Sequence, residues 1–339
     1  MFDLELLEKI DSQGMYKVYD KWPQIARESY EFEQNQIDFD GITHLVFAGM
    51  GGSGAIGDIF YSILSNAKIH VSLVKGYHLP STVDSKTLIV TTSVSGNTVE
   101  TLSVLESAIN TDAKIIAFSS GGQMKDFCLN HNIEYRNIPM EHSPRVSFPL
   151  FLYSMLKILE PILPISKDEI MESLDEMENT HKIINSKNLT EENTALKLAK
   201  WIKGIPLIYY PWGLQAAAIR FKNSLQENTK CHVISEDMIE ACHNGIVGWE
   251  KDSIVKPILI EGVDDYFKTK ERWEIIKKYF TQKEIDFREV YSSKGSVLSK
   301  LINLIYLLDY CSIYLSVINE IDPSPVKSID FVKKQLNYL

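Results

Sequence analysis

The sequence predicts an α/β protein of two domains, each an αβα sandwich around a mainly parallel sheet. Short β-branched runs alternate with amphipathic helical stretches, the rhythm of parallel βαβ units. The rhythm stops in a long helical region and then restarts. At 339 residues the chain is also longer than a typical single domain. We therefore expect two domains of similar design.

The first half supplies the N-terminal domain. Its predicted strands cover residues 43–49, 69–74, 87–93 and 114–120, and its predicted helices cover 53–65 and 98–109. An apolar stretch at 149–159 and a charged stretch at 167–187 follow. We assign residues 1–155 to the N-terminal domain and residues 156–190 to a helical connector.

The second half repeats the pattern and gives a C-terminal domain over residues 191–339. Its predicted strands cover 206–210, 231–235, 255–262 and 287–292, and its predicted helices cover 194–202, 214–226, 268–279 and 297–318. The halves resemble each other in pattern rather than in sequence, which suggests a duplication.

Charge and cysteine content exclude several classes of function. The formal net charge of -10 argues against non-specific binding of nucleic acid or of an anionic membrane. The four cysteines stand at no metal-ligand spacing, so we expect reduced thiols, no metal and no redox cofactor. The N-terminus lacks a signal-peptide pattern, and we expect no membrane span and a cytoplasmic protein.

Two glycine- and hydroxyl-rich turns carry the strongest functional signal. Gly49-Met50-Gly51-Gly52-Ser53-Gly54 follows the first predicted strand and opens a helix. Ser93-Val94-Ser95-Gly96-Asn97-Thr98 does the same after the third. Backbone N–H groups at a helix start, together with hydroxyls, bind anions. The turns in the second half lack this character, so we expect one phosphate site, in the N-terminal domain.

Both turns have alternative interpretations. Gly49, Gly51 and Gly54 also match the dinucleotide fingerprint, but the second strand ends in Lys75-Gly76-Tyr77-His78, without the acid that would hold a ribose. The glycines could serve only a tight turn. In the second turn, Ser95 or Asn97 could merely cap the helix, with Glu100 completing a capping-box-like pattern.

The pair GMGGSG and SVSGNTVET resembles the sugar isomerase (SIS) domain family. The tandem arrangement is similar to the bifunctional phosphoglucose/phosphomannose isomerase branch, and the resemblance runs over most of the chain. It implies two SIS-type domains and interconversion of glucose 6-phosphate, and of mannose 6-phosphate, with fructose 6-phosphate. It also implies that Gly52, Ser53, Ser93, Ser95 and Thr98 hold the substrate phosphate.

Four further segments extend the resemblance to catalytic residues. It implies that Glu227 is the base and that Arg145 of His142-Ser143-Pro144-Arg145 stabilises the enediolate. It implies that His243 opens the sugar ring from the neighbouring subunit of a homodimer, and that Lys327 reaches the active site. Taken alone, each of these residues has an ordinary structural explanation. The spacing of Arg220, Ser224 and Glu227 puts all three on one helix face.

Position 94 departs from the family pattern, because it holds Val where an aromatic residue is common. Other classes remain open. A sugar-phosphate sensor normally carries a basic DNA-binding helix-turn-helix, which the acidic N-terminal segment does not suggest. The amide-transferring sugar synthase needs an ammonia-generating domain with an N-terminal cysteine, and this chain begins Met1-Phe2-Asp3. An isomerase of another sugar phosphate, such as arabinose 5-phosphate, is the nearest chemical alternative.

Overall fold

The computed structural model describes residues 2–37 and 40–336 and contains two parallel sheets. The first sheet has the strand order β2-β1-β3-β4-β5. Its strands are β1 (His44–Ala48), β2 (His70–Val74), β3 (Thr87–Ser93), β4 (Lys114–Ser119) and β5 (Glu134–Asn137). The chain leaves β1 toward one edge and returns on the other side at β3, so the carboxyl ends of β1 and β3 flank a switch point, where ligands bind in such sheets.

The second sheet has the order β7-β6-β8-β9 and repeats the topology of the first four strands. Its strands are β6 (Ile205–Tyr210), β7 (Ile234–Asp237), β8 (Val255–Glu261) and β9 (Arg288–Tyr291). All of its pairings are parallel. The two sheets of the predicted α/β fold are therefore confirmed, whereas the domain boundaries at 155 and 190 stay a prediction.

The helices follow the strands in the expected alternation. In the first half they are α1 (Leu4–Ile10), α2 (Met15–Tyr19), α3 (Trp22–Glu31), α4 (Gly51–Ile63), α5 (Val99–Ala108), α6 (Gly122–Asn130), α7 (Phe148–Leu159) and α8 (Lys167–Ile184). In the second half they are α9 (Thr194–Trp201), α10 (Gln215–Thr229), α11 (Met238–Ala241), α12 (Phe267–Gln282), α13 (Val297–Ile318) and α14 (Lys327–Leu336), with a 3-10 helix at Gly245–Glu250.

One hydrophobic core spans both sheets. It includes Leu45 and Phe47 of β1 together with Ile208 of β6 and Ile260 of β8. Helix α13 lies at its centre and packs against α8, α9 and α10, while α10 also packs against α4 of the first half. This packing brings the end of α10 to the carboxyl edge of the first sheet, where the two predicted phosphate turns lie.

Helix α13 requires one correction to the sequence analysis. Its 22 residues are long and apolar enough to cross a membrane, contrary to the expectation that no segment would be. In the fold, 83% of its apolar window is buried inside the protein. Its hydrophobicity is explained by its place at the centre of the core.

The strand predicted at 231–235 is misplaced, since β7 is Ile234–Asp237. Residues before it belong to the irregular turn that follows α10, where Lys230 adopts a left-handed conformation. Strand β7 is an edge strand with the polar residues Ser235, Glu236 and Asp237, so its sequence lacks the apolar run that marks a central strand.

Candidate active site

The β1–α4 turn places the start of α4 beside the second predicted turn. Gly49 and Gly54 are required by close packing, because a Cβ on Gly49 would lie 2.9 Å from the Thr92 carbonyl oxygen and one on Gly54 would lie 2.8 Å from that of Gly49. The Ser53 hydroxyl is buried and accepts a hydrogen bond from the Val94 N–H at 3.2 Å. The two turns therefore form one surface.

The β3–α5 turn is organised by its own hydroxyls. The hydroxyls of Ser93 and Thr98 lie 2.8 Å apart, and Ser93 also accepts from the Gly96 N–H at 3.1 Å. Ser95 accepts from the Asn97 N–H at 3.3 Å. Within the described chain, α5 begins after Thr98 without a side-chain cap, so the capping interpretation of Ser95 or Asn97 is wrong.

Gly96 is the residue that lets this turn close. Its φ of +69° is left-handed, and a Cβ there would lie 1.8 Å from the Gly121 carbonyl oxygen. The backbone of the β3–α5 turn therefore touches the β4–α6 turn directly. The Ser120 N–H donates to the Val94 carbonyl at 3.0 Å and the Met124 N–H to that of Gly96 at 2.9 Å, which ties the two turns together.

The dinucleotide alternative gains no support at the end of β2. Lys75 forms an ion pair of 2.6 Å with Asp58 of α4 at the place where a ribose-binding acid would stand. A cation paired with a helix side chain does not accept ribose hydroxyls.

Arg145 and Glu227 meet beside the start of α4. The Arg145 Nη1 donates to the Glu227 Oε2 at 3.2 Å, and its Nε donates to the Asn228 Oδ1 at 2.9 Å. Arg145 is buried, while the Glu227 side chain is 25% exposed. A Cβ on Gly52 would lie 3.5 Å from the Arg145 Cα, so the guanidinium-bearing segment lies next to the first phosphate turn. The fold thus brings the predicted base and the predicted enediolate cation into contact.

A buried polar network fixes α10 against α13. The Arg220 Nη2 donates to the Asp309 Oδ2 at 2.6 Å, and the Ser224 hydroxyl donates to Oδ1 of the same carboxylate at 2.6 Å. Arg220 also donates to the Arg145 carbonyl at 2.8 Å and lies 4.0 Å from the Phe148 ring centroid. Arg220 and Ser224 therefore point into the core, whereas Glu227, one turn on, reaches the cleft edge.

Glu227 opens on a cleft of about 870 Å³. The cleft is lined on one side by Gly51 of α4 and on another by Asp322, Lys327 and Ile329. Lys327 begins α14 and is exposed. Lys327 and Glu227 therefore line the same cavity.

His243 does not reach this cleft within one chain. It follows α11, at the carboxyl edge of the second sheet, and is exposed. Its backbone N–H donates to the Glu240 carbonyl at 2.8 Å. The described lining of the Glu227 cleft does not include it.

Sequence reasoning missed three residues of this site. Asn228 orients Arg145, Asp309 anchors Arg220, and Lys230 lines the cleft beside Glu227. Asp309 did carry a signal, because it is a lone carboxylate inside a long apolar helix, and such groups are buried only when paired. Nothing in the local pattern distinguishes Asn228 or Lys230 from ordinary helix-end residues.

Comparison with known proteins agrees with this architecture. Residues 191–336 match the family model of the bacterial phospho-glucose isomerase C-terminal SIS domain. The tagatose-6-phosphate ketose/aldose isomerase of Escherichia coli has a similar structure, with a TM-score of 0.69, 12% identity and coverage of 93% of this chain and 97% of that one. The two parallel sheets and the match to this family model define a sugar isomerase (SIS) domain protein.

Relatives in sequence narrow the class. The bifunctional phosphoglucose/phosphomannose isomerase of Caldicellulosiruptor bescii is 32% identical over 331 residues, covering 93% of this chain and 96% of the relative. The D-glucosamine-6-phosphate 4-epimerase of Sulfolobus acidocaldarius is 30% identical over 236 residues, covering 68% of this chain and 72% of the relative. The chain belongs to the family of bifunctional phosphoglucose/phosphomannose isomerases.

Proposed function

We propose that this protein interconverts glucose 6-phosphate and mannose 6-phosphate with fructose 6-phosphate by proton transfer through an enediolate. The observation that carries the proposal is the contact between Glu227 and Arg145 at the mouth of a cleft that also borders the start of α4. The relative from Caldicellulosiruptor bescii, which bears both activities in its name, matches nearly the whole chain. We also propose a cytoplasmic location.

The substrate phosphate is assigned to the two turns at the first sheet. Gly52 and Ser53 contribute the start of α4, while Ser93, Ser95 and Thr98 contribute hydroxyls at the start of α5. Two helix starts and several donors hold a dianion without a lysine. Binding energy from this remote phosphate then aligns C1 and C2 of the sugar over Glu227.

The proton transfer is assigned to Glu227. Its carboxylate removes the proton from the carbon beside the carbonyl, and the electron pair moves onto the carbonyl oxygen to give the enediolate. The same carboxyl group then returns the proton to the neighbouring carbon. Arg145 stabilises the negative oxygen, and Lys327 positions O1 or the ring oxygen. Glucose 6-phosphate and mannose 6-phosphate differ only in the configuration at C2, which is set by the face of the enediolate that receives the proton.

Ring opening is assigned to His243 of the partner subunit in a homodimer. An imidazole can accept a proton at one ring nitrogen and donate one from the other, so it can move a proton between O1 and the ring oxygen. The exposure of His243 in the single chain and its absence from the described cleft lining fit a role across a subunit interface. Each active site then combines Glu227 of one chain with His243 of the other.

Mixed dimers test this shared site. Glu227→Gln and His243→Ala homodimers are both expected to be inactive. After co-refolding in equal amounts, half the molecules are heterodimers with one intact site each, so roughly a quarter of the wild-type activity returns by symmetry. Absence of complementation in a demonstrated heterodimer would contradict the assignment of His243.

The activity itself is tested with EDTA-treated protein and fructose 6-phosphate, with glucose 6-phosphate and mannose 6-phosphate detected separately. Both products are expected. Glu227→Gln should lower kcat roughly 10²–10⁴-fold with KM nearly unchanged, because the proton acceptor is lost but the phosphate site is intact. The exposed Glu250→Gln is the control. An active Glu227→Gln enzyme would exclude Glu227 as the base.

The alternatives give different results in the same assay. If the wild-type protein forms neither product yet binds sugar phosphates, the chain is a sensor. If the protein acts only on another sugar phosphate, it is an enzyme of the same class with a different substrate. The epimerase relative is named for such a different sugar phosphate.

A further inference from the structure

Lys230 ends α10 in an unusual backbone conformation. Its φ is 59° and its ψ 21°, the left-handed region at which helices usually end on Gly or Asn. A side chain with a Cβ is disfavoured there. Glu284 has a similar left-handed φ, so what distinguishes Lys230 is the set of contacts that its side chain makes.

The Lys230 ammonium is fully engaged. It donates to the carbonyl oxygens of Glu227, of Pro323 at 3.3 Å and of Pro325 at 2.7 Å. An ammonium has three N–H donors, so these carbonyls take all of them. Burial lowers the pKa of Lys230, and the nearby Arg145 acts in the same direction. The charge is therefore used to hold backbone and is not directed at a substrate.

The backbone that it holds leads directly to Lys327. Residues 321–326, which we call the hinge segment, form the last part of the connection from α13 to α14. Arg145 Nη2 donates to the Pro323 and Ser324 carbonyls in the same segment, at 2.7 and 3.0 Å. Pro323 and Pro325 have no N–H, so the backbone at these two residues can be held only through its carbonyls.

Helix α14 depends on the hinge segment for its position. None of its described residues is buried, and Ile329 and Phe331 are exposed. A helix without a buried face takes little stability from packing. The place of Lys327 relative to Glu227 is thus set mainly by where the hinge segment is fixed.

We propose that Lys230 is a positioning residue that ties the hinge segment to the end of α10 and so holds Lys327 over Glu227. The inference rests on the proposed function for its kinetic consequence, but the structural tie can be measured without any activity. Glu227 and Lys230 are separated by about one helical turn of α10, so the proposed base and the residue that holds the hinge segment form a single rigid unit.

The test uses Lys230→Gly, which removes the ammonium and also relieves the backbone strain. We expect its melting temperature to equal or exceed that of the wild type, while kcat falls about tenfold or more and KM changes less than about twofold. Glu284→Gly is the matched control, because Glu284 is exposed and also has a left-handed φ, 56°, after α12. It should gain stability without losing kcat.

Hydrogen exchange gives the second readout. Amides of residues 321–336 should exchange faster in Lys230→Gly, and in Lys230→Asn, than in the wild type, while α10 exchanges as before. Unchanged exchange in 321–336 would overturn the proposal, as would wild-type kcat. Loss of thermal stability in step with activity would also overturn it. If the wild type lacks isomerase activity, the proposed function fails, whereas the exchange result still decides the role of Lys230.

Discussion

Breaking the buried Arg220–Asp309 pair is expected to be among the most destabilising single changes in this chain. Both side chains are almost completely buried, with exposed fractions of 3% and 0%, and their closest atoms lie 2.6 Å apart. Asp309→Asn keeps the shape but leaves the guanidinium charge uncompensated. Removing one partner of such a pair costs about 3–5 kcal/mol. Arg220→Met is expected to cost a similar amount, because it leaves a buried carboxylate.

A double-mutant cycle measured by urea unfolding tests this reasoning. The Arg220→Met/Asp309→Asn double variant contains no unpaired charge, so it should lose less than the two single variants together by more than about 2 kcal/mol. Lys268→Met is the control, since the Lys268–Glu271 pair is 2.7 Å long but exposed and is worth at most about 1 kcal/mol. A cost below about 1 kcal/mol for Asp309→Asn, or strict additivity, would refute the argument.

Two further predictions concern the phosphate turn and the second sheet. Gly96→Ala should raise KM for the sugar phosphate at least about tenfold, because its Cβ would collide with the Gly121 carbonyl. Gly76→Ala is the control, because a Cβ there would lie in open space, and it should leave KM unchanged. An unchanged KM for Gly96→Ala would contradict the assignment of the phosphate site to this turn. Burial raises the pKa of Glu261 to about 7, from an ordinary 4.5, despite its ion pair with Lys277. The stabilising contribution of Glu261 is therefore full below pH 4.5 and is lost as the pH rises through 7. The melting temperature of Glu261→Gln minus that of the wild type should therefore increase from pH 5 to pH 8. The same difference in melting temperature at both pH values would contradict this prediction.

Buried strands and long helices could be predicted because their own sequences determine them. The predicted bounds of β3 and α13 are those observed, since most residues of each are buried, with β-branched residues along the strand and mainly apolar residues along the helix. Edge elements escaped prediction. Strand β5, with the sequence Glu-Tyr-Arg-Asn, and the short helix α2 have little apolar periodicity of their own, and they are ordered by contacts with distant parts of the chain.

The N-terminal segment shows such distant ordering clearly. Trp22 of α3 is fully buried, and its indole N–H donates to the Val146 carbonyl at 2.9 Å. Tyr310 of α13 donates to Asp20 at 2.7 Å. Partners more than a hundred residues away leave no pattern in the local sequence. The sequence of the N-terminal segment therefore indicates only that it is acidic, and not that it packs into the core.

The parts of the site that lie in sequence motifs could be predicted, whereas the parts that depend on contacts between distant segments could not. The composition of the turns around Ser53 and Ser93 predicts them, and the family resemblance implies roles for Arg145 and Glu227, whose contact only the structure shows. The clamp formed by Lys230 depends on a left-handed residue and on carbonyls from a segment some ninety residues later. No local sequence pattern predicts the contact between Lys230 and these carbonyls.

The carboxylate of Asp309 also bears on how the newly made chain is sorted. Helix α13 satisfies the length and hydropathy that insertion machinery uses to select segments for the lipid bilayer. Asp309 stands near its midpoint, where an aspartate adds about 2.5–3.5 kcal/mol to the free energy of insertion. The group that fixes α10 against α13 in the finished protein thus also disfavours transfer of this segment into lipid before the preceding helices have packed around it.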